Sequence, residues 1–209
     1  MAGPDDSASA LAGEKKTGAR RQGRPREFDR DAALEVAMRL FWRHGYEGVS
    51  LAALTRAMGI SSPSFYAAFA SKSDVFDEAL RHYETTIGSV DLAILTAAPN
   101  LEAGVRAFLH DAAGRWTSRP HERGCMIWNG ALQAGPMCDP IVQRLRDSRN
   151  NLRSRLSASL ERFVDPQTAA QLSLYISGLL AGLSSQARDG MTGEQIGSVI
   201  DLAVNRRRL

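Results

Sequence analysis

Cysteine is scarce: the 209 residues hold two, Cys125 and Cys138. Two thiols are too few to staple a secreted scaffold, and free thiols fit a reducing compartment. Histidine is nearly as rare. His44, His82, His110 and His121 fall in no His-Glu-x-x-His or other paired metal spacing, so no metal centre is expected. No Gly-rich phosphate loop follows a strand, and Gly-x-Ser-x-Gly is missing. The chain therefore reads as a non-enzyme without a cofactor. No apolar run approaches the roughly 20 residues that cross a bilayer. The first 28 residues lack an apolar stretch of signal-peptide length, so a cytoplasmic chain with no membrane partner is expected. β-Branched residues are also few: Val, Ile and Thr together number 25, against 52 for Ala and Leu. Branching at Cβ costs χ1 freedom in a helix and suits a strand, so this bias predicts an all-α fold.

What is present is ordinary in amount and uneven in placement. Hydrophobic residues at 44% and charged residues at 23% exclude wholesale disorder. The net charge is only +3, yet six basic residues and no acid lie between Lys15 and Arg26. Residues 1–25 read as a flexible basic arm. Within it Gln22-Gly23-Arg24-Pro25-Arg26 is similar to the core of an AT-hook, in which Arg24 and Arg26 would enter a narrow A·T minor groove. A solvated tail with non-specific phosphate contacts is the competing reading.

Helix punctuation begins at Asp29, which can cap a helix carrying Ala33, Leu34, Ala37, Leu40 and Phe41 and ending at Gly45. Ser50 caps a short helix to Met58, stopped by Gly59, and Ser61 caps the next, to Phe69. Ile60 and Phe65 are spaced as a hydrophobic staple, and Pro63 is tolerated in a first turn. Ser71 and Asp74 form a capping box for a helix to about Gly88. Further helices start at Asn100, around Cys125, at Asp139-Pro140, at Asp165-Pro166, and at the Thr192/Gln195 capping box. The count is nine, with no convincing strand.

Two short helices joined by Gly59-Ile60-Ser61 form the pattern of a helix-turn-helix. The second would expose Ser62, Ser64, Ala67 and Ala68, small enough to sit deep in a major groove. Phe65 and Phe69 belong to the core. The residues Gly45-Tyr46, Val49-Ser50-Leu51, Met58-Gly59-Ile60-Ser61, Phe65-Tyr66, Phe69 and Ser71-Lys72 resemble the N-terminal domain of TetR/AcrR-type transcriptional regulators. Thr55 and Ala52-Ala53 depart from that pattern. The resemblance implies a three-helix DNA-binding domain over residues 26–86, with its helix-turn-helix at about 49–68. A C-terminal effector-binding and dimerisation bundle would occupy 87–209. It implies DNA contacts from Ser50, Ser61, Ser62, Pro63, Ser64, Tyr66, Ala67, Ala68 and Lys72, with Ser62 and Ser64 at base edges and Tyr66 and Lys72 on the backbone. For Tyr66 a core position is the alternative. The partners so implied are a palindromic double-stranded operator and a second copy of the chain.

In the C-terminal half, Phe108, Trp116, Met126, Trp128, Met137 and Tyr175 are candidates to line a pocket for a small apolar or aromatic effector; plain core is the alternative for each. Leu172, Ile176, Leu179, Leu183, Ile196, Val199 and Ile200 are the expected dimer interface, on helices 166–187 and 193–205, with Gly178 and Gly182 allowing close approach. Gly124-Cys125-Met126-Ile127-Trp128-Asn129 resembles a Gly-Cys-x-x-x-Asn element of one branch of these regulators. The expected function is a repressor released from its operator by an effector. A thiol-redox-responsive regulator at Cys125 or Cys138 is the first alternative, and a non-specific structural DNA-binding protein the second.

Overall fold

The predicted caps among the described residues find their donors; Asp139, before Pro140, lies outside them. In the computed structural model, which describes residues 29–130 and 140–205, Asp29 accepts from the amides of Asp31 and Ala32 and opens α1 (Arg30–His44). Ser50 and Ser61 open α2 (Leu51–Met58) and α3 (Ser62–Ala68). Ser71 accepts from the Asp74 amide at 3.1 Å and donates to its carboxylate at 2.7 Å, opening α4 (Lys72–Thr85). Asn100 opens α6 (Leu101–Thr117) and Asp165 opens α9 (Pro166–Arg188). Thr192 and Gln195 close a reciprocal box at 3.2 and 2.9 Å before α10 (Gly193–Asn205). Such caps are each worth about 1 kcal/mol, because they satisfy amides that a helix start leaves without partners.

Among the described residues the regular structure is all helix, in ten helices rather than nine. The addition is α5 (Ala93–Thr96), a single turn that buries Leu95 against α6; its N-cap position is Leu92, and its first amide, of Ala93, donates to the Asp91 carboxylate at 2.8 Å. Around Cys125 the described helix is one turn, α7 (Met126–Asn129). The long helix that follows, α8 (Pro140–Leu160), starts at the proline expected to start it. Helix α4 stops at Thr85, short of Gly88. The chain then folds back so closely that a Cβ on Gly88 would overlap the Tyr83 ring. That position takes only glycine.

Packing divides the chain into a head and a body. In the head, α1 lies across α4 and α2, with Phe41 edge-on to Phe76 at 5.1 Å and Trp42 edge-on to Tyr83 at 4.9 Å. In the body, α8 packs on α9, and α6 is clasped between α9 and α10. One apolar core runs through both. Arg24, Arg26, Met137 and Cys138 lie outside the described residues.

Candidate nucleic-acid interface

The geometry of the reading unit follows from one glycine and two serines. Gly59 sits at φ +69°, a left-handed conformation that costs glycine little. The turn it makes brings the Ile60 amide to the Thr55 carbonyl at 3.0 Å. Thr55 is buried, and its hydroxyl donates to the carbonyls of Leu51 and Ala52 at 3.1 and 3.2 Å. The departure at Thr55 is thus satisfied inside α2 and leaves the outer surface unchanged. Ser61 takes the Ser64 amide at 3.3 Å and pairs hydroxyl to hydroxyl with Ser64 at 2.9 Å.

Phe65 and Phe69 are buried and anchor α3 from beneath. Ser62, Pro63, Ser64, Tyr66 and Ala67 are exposed on the other side, while Ala68 is half-buried. Tyr66 is 56% exposed, steadied by the edge of Phe65 at 5.6 Å, so its alternative as a core aromatic does not hold. Lys72 places its ammonium 4.0 Å from the centre of the Tyr46 ring. Burial lowers its pKa from the ordinary lysine value, with Glu47 acting in the opposite sense. The stack on Tyr46 fixes where that charge stands. Two further cations bear on the surface. Arg30 is held by Glu78 at 2.6 Å and lies over the Phe69 ring, which leaves it a structural tie. Arg56, exposed in the last turn of α2, escaped the motif-based reading. It is the one charged residue between Ser50 and Ser71, and that isolation was its signal.

The head is seated on the body through the end of α1. Glu122, in a stretch that reads as a polar break, is buried and pairs with Arg43 and, at 3.4 Å, with Arg39. Arg188, at the end of α9, donates to the carbonyls of Trp42 (3.0 Å) and Arg43. Trp42 donates its indole N–H to the Gly124 carbonyl at 3.2 Å. Gly124 has φ +73°, and a Cβ there would strike Asn129 and Ser184. Asn129 accepts from the Ser184 hydroxyl at 3.2 Å, and that hydroxyl accepts from the Cys125 amide at 2.8 Å. This explains Gly-Cys-x-x-x-Asn physically: three residues lock α7 onto α9.

Trp42 also walls a small cavity of about 40 Å³ where head and body meet, with Tyr83, Phe108, Trp116, Trp128 and Cys125. Three of the six pocket candidates, Phe108, Trp116 and Trp128, meet there. Met126 does not; it is buried in the core beside it. Tyr175 stands on the outer face of α9, 41% exposed, with its hydroxyl 3.4 Å from the Ala203 carbonyl. Cys125 is buried, and its thiol, pushed up mainly by burial, lies 3.4 Å from the Tyr83 hydroxyl. A raised thiol pKa leaves little thiolate to be oxidised.

The expected dimer interface needs correction. Leu172, Ile176, Leu183, Ile196 and Ile200 are buried within the subunit, because α9 turns that stripe toward α8 and α6 and α10 turns its own toward α6. Leu179 is half-buried. Of the seven, Val199 alone is exposed, at 39%. The open apolar positions are its neighbours Leu202 (71%) and Leu174 (59%) with Tyr175. Gly178 and Gly182 have nothing within 4 Å of where a Cβ would stand.

Two short helices on a left-handed glycine, the second presenting a small polar face, define a helix-turn-helix DNA-binding protein. Comparison with known proteins narrows the class. Residues 33–79 match the family described as "Bacterial regulatory proteins, tetR family". The HTH-type transcriptional repressor ComR of Escherichia coli (strain K12) is 30% identical over 186 residues, covering 84% of this chain and 87% of ComR. The repressor BdcR of the same strain is 31% identical over 175 residues, covering 83% and 86%. Among solved structures, a cysteine mutant of the TetR family regulator CifR complexed with a 26 bp operator DNA superposes with a TM-score of 0.79. It is 37% identical, covering 88% of this chain and 99% of that one. The chain belongs to the TetR family of DNA-binding transcriptional regulators.

Proposed function

We propose that the protein is a repressor that binds a palindromic operator as a homodimer and leaves it when a small apolar or aromatic effector enters the body. Residues 26–86 serve as the reading head and 87–209 as the sensing and pairing body. The observation that carries this reading is Trp42. Its indole walls the aromatic cavity, while the carbonyls of Trp42 and Arg43, at the end of α1, are held by Arg188. A ligand that spreads the cavity wall therefore presses on the helix that supports α2 and α3. A second path runs through α4, whose Tyr83 walls the same cavity.

On DNA, Ser62 and Ser64 face base edges, and Tyr66, Lys72, Ser50 and Arg56 lie on phosphates. Pairing occurs through Leu174, Tyr175, Gly178, Gly182, Val199 and Leu202, a face left open by the described residues of the subunit. Half-sites then lie at least one helical turn apart, about 34–36 Å. Footprinting tests the reading against a DNA-coating protein. A repressor protects one short palindrome and loses that protection with effector, whereas a coating protein protects the whole fragment. Linkage bounds the response: an effector that weakens DNA binding tenfold must bind the DNA-bound form tenfold more weakly, about 1.4 kcal/mol of coupling.

A further inference from the structure

The aromatic cavity is not isolated. Gly88, Val90, Ile127 and Leu152 line both it and a second, larger hollow of about 460 Å³ between the end of α4 and one face of α8. Ligand sites commonly enclose roughly 300–1,000 Å³, so the larger hollow has that capacity and the aromatic crevice of about 40 Å³ does not. The two differ in chemistry as well as size. The crevice is walled mainly by rings, with Arg115 as its one charged group, paired to Asp111 at 2.7 Å; the hollow is walled by Glu84, Arg144, Asp147 and Arg155.

The charges of α8 are one-sided. Between Pro140 and Leu160 stand five arginines and a single acid, Asp147. Arg144 is neutralised by Glu84 at 3.0 Å. Asp147 accepts from Gln143 at 2.8 Å and faces solvent at the rim. Arg149 spends a donor on the Ile127 carbonyl at 3.0 Å, and burial together with Arg153 and Arg146 lowers its pKa from the ordinary value. Arg155, exposed to solvent at the rim of the hollow, reaches the Val90 carbonyl at 3.4 Å, and among the described residues no carboxylate pairs with it. A guanidinium presents five donors in a planar fork suited to a carboxylate. This one has most of its donors unspent, beside an aromatic crevice.

We infer that the effector is an amphipathic carboxylate, its apolar body wedged from the larger hollow into the aromatic crevice and its carboxylate held by Arg155. The inference rests on the effector reading above and adds the ligand's charge. Seating the body requires Ile127, Leu152 and Trp128, which are only half-buried, to give way. The rings behind them include Trp42, so entry and release of the head are one motion.

The test uses the intact dimer and two matched series: 2-naphthoate, 2-naphthamide and 2-naphthylmethylammonium, and octanoate, octanamide and octylammonium. Affinity is read by calorimetry, and operator release by fluorescence anisotropy of labelled DNA. In each series the acid should bind about tenfold or more tighter than the amide, with the ammonium weakest, as expected for a charge-assisted pair. Arg155→Gln should bring the acid down to the amide while leaving the amide's affinity, thermal stability and ligand-free operator binding unchanged. Arg155→Lys should restore part of the preference. Amides that bind as tightly as acids, or a preference that survives Arg155→Gln, would overturn the anionic class. If neutral members then release the operator, the effector reading stands without it. Acids that bind through Arg155 but leave the operator occupied would keep the site and remove the effector reading. Binding by no member of either series would remove both.

Discussion

Two surfaces of this molecule are short of charge, and they differ in what replaces it. The outer face of α3 carries Ser62, Pro63, Ser64, Tyr66 and Ala67; the outer face of α9 and α10 carries Leu174, Tyr175, Gly178, Gly182, Val199 and Leu202. The first is small and keeps hydroxyls in reach. It suits a groove whose floor is hydrogen-bonding base edges and whose walls are phosphates. The second is larger and apolar, with two glycines a turn apart that let another helix come close. It suits a copy of itself, since an isologous contact needs only one self-complementary patch. Burial separates the working residues of α9 from its structural ones: Ile176 belongs to the core and Leu174, two residues away, to the surface.

That contrast can be broken at several strengths. The largest effect is expected from arginine at both Leu174 and Leu202. The protein should remain folded, run as a monomer by light scattering, and lose about 10²–10⁴-fold in operator affinity as the second half-site becomes a separate binding event. Ile176→Arg should instead lower the melting temperature sharply, because it buries an unpaired charge. A folded monomer from Ile176→Arg, or a fully dimeric double variant, would show that the faces are misassigned. On α3, Ser62→Ala should shift base preference at one position by about 1–3 kcal/mol. Lys72→Ala should weaken all duplexes alike and flatten the salt slope by about one. Reversal of those two patterns would exchange the base-reading and phosphate roles.

Smaller still is the seat between head and body. Glu122→Gln takes the carboxylate from Arg39 and Arg43, which are themselves partly exposed, so a loss of about 1 kcal/mol is expected after solvent screening. The more informative readout is coupling: the difference in effector affinity between free and DNA-bound protein should shrink. An unchanged difference would place the coupling in α4 alone. The least perturbing test is chemical. With Cys138→Ser in place, Cys125 should resist iodoacetamide at neutral pH in the native protein and react once unfolded, because burial holds its thiol protonated. Fast native labelling would revive the thiol switch.

Much of the head was legible because its determinants are local. Ser50, Ser61 and Ser71 cap helices within three residues of themselves, and Gly59 sets a turn by its own φ; short-range rules find such features. Phe65 was legible as core, whereas Tyr66 was left between core and surface until its exposure separated them. The body's determinants are spread along the chain. Most of the expected dimer stripe is buried within the subunit, because α9 has apolar residues all round and periodicity cannot tell which face α8 and α6 will cover. Glu122 pairs with arginines some 80 residues away, and nothing in its neighbourhood marks it as a latch. Of the pocket candidates, Phe108, Trp116 and Trp128 converge because α6 and α7 line the same cavity from different sides, while Met126 and Tyr175, similar in composition, do not line it. The single turn α5 has Leu92 at its N-cap position and takes its one side-chain acceptor from Asp91, a residue further out.

The central claim is that α3 reads sequence, and one measurement tests it most directly. A duplex selected from random DNA for tight binding is titrated at fixed physiological salt beside a scrambled duplex of equal length, with wild type and the Ser62→Ala/Ser64→Ala double variant. The wild type should prefer the selected duplex by about 10³-fold or more. The double variant should keep its affinity for the scrambled duplex while losing much of that preference. Equal affinity of the wild type for both duplexes, or a preference untouched by the serine changes, would contradict the account.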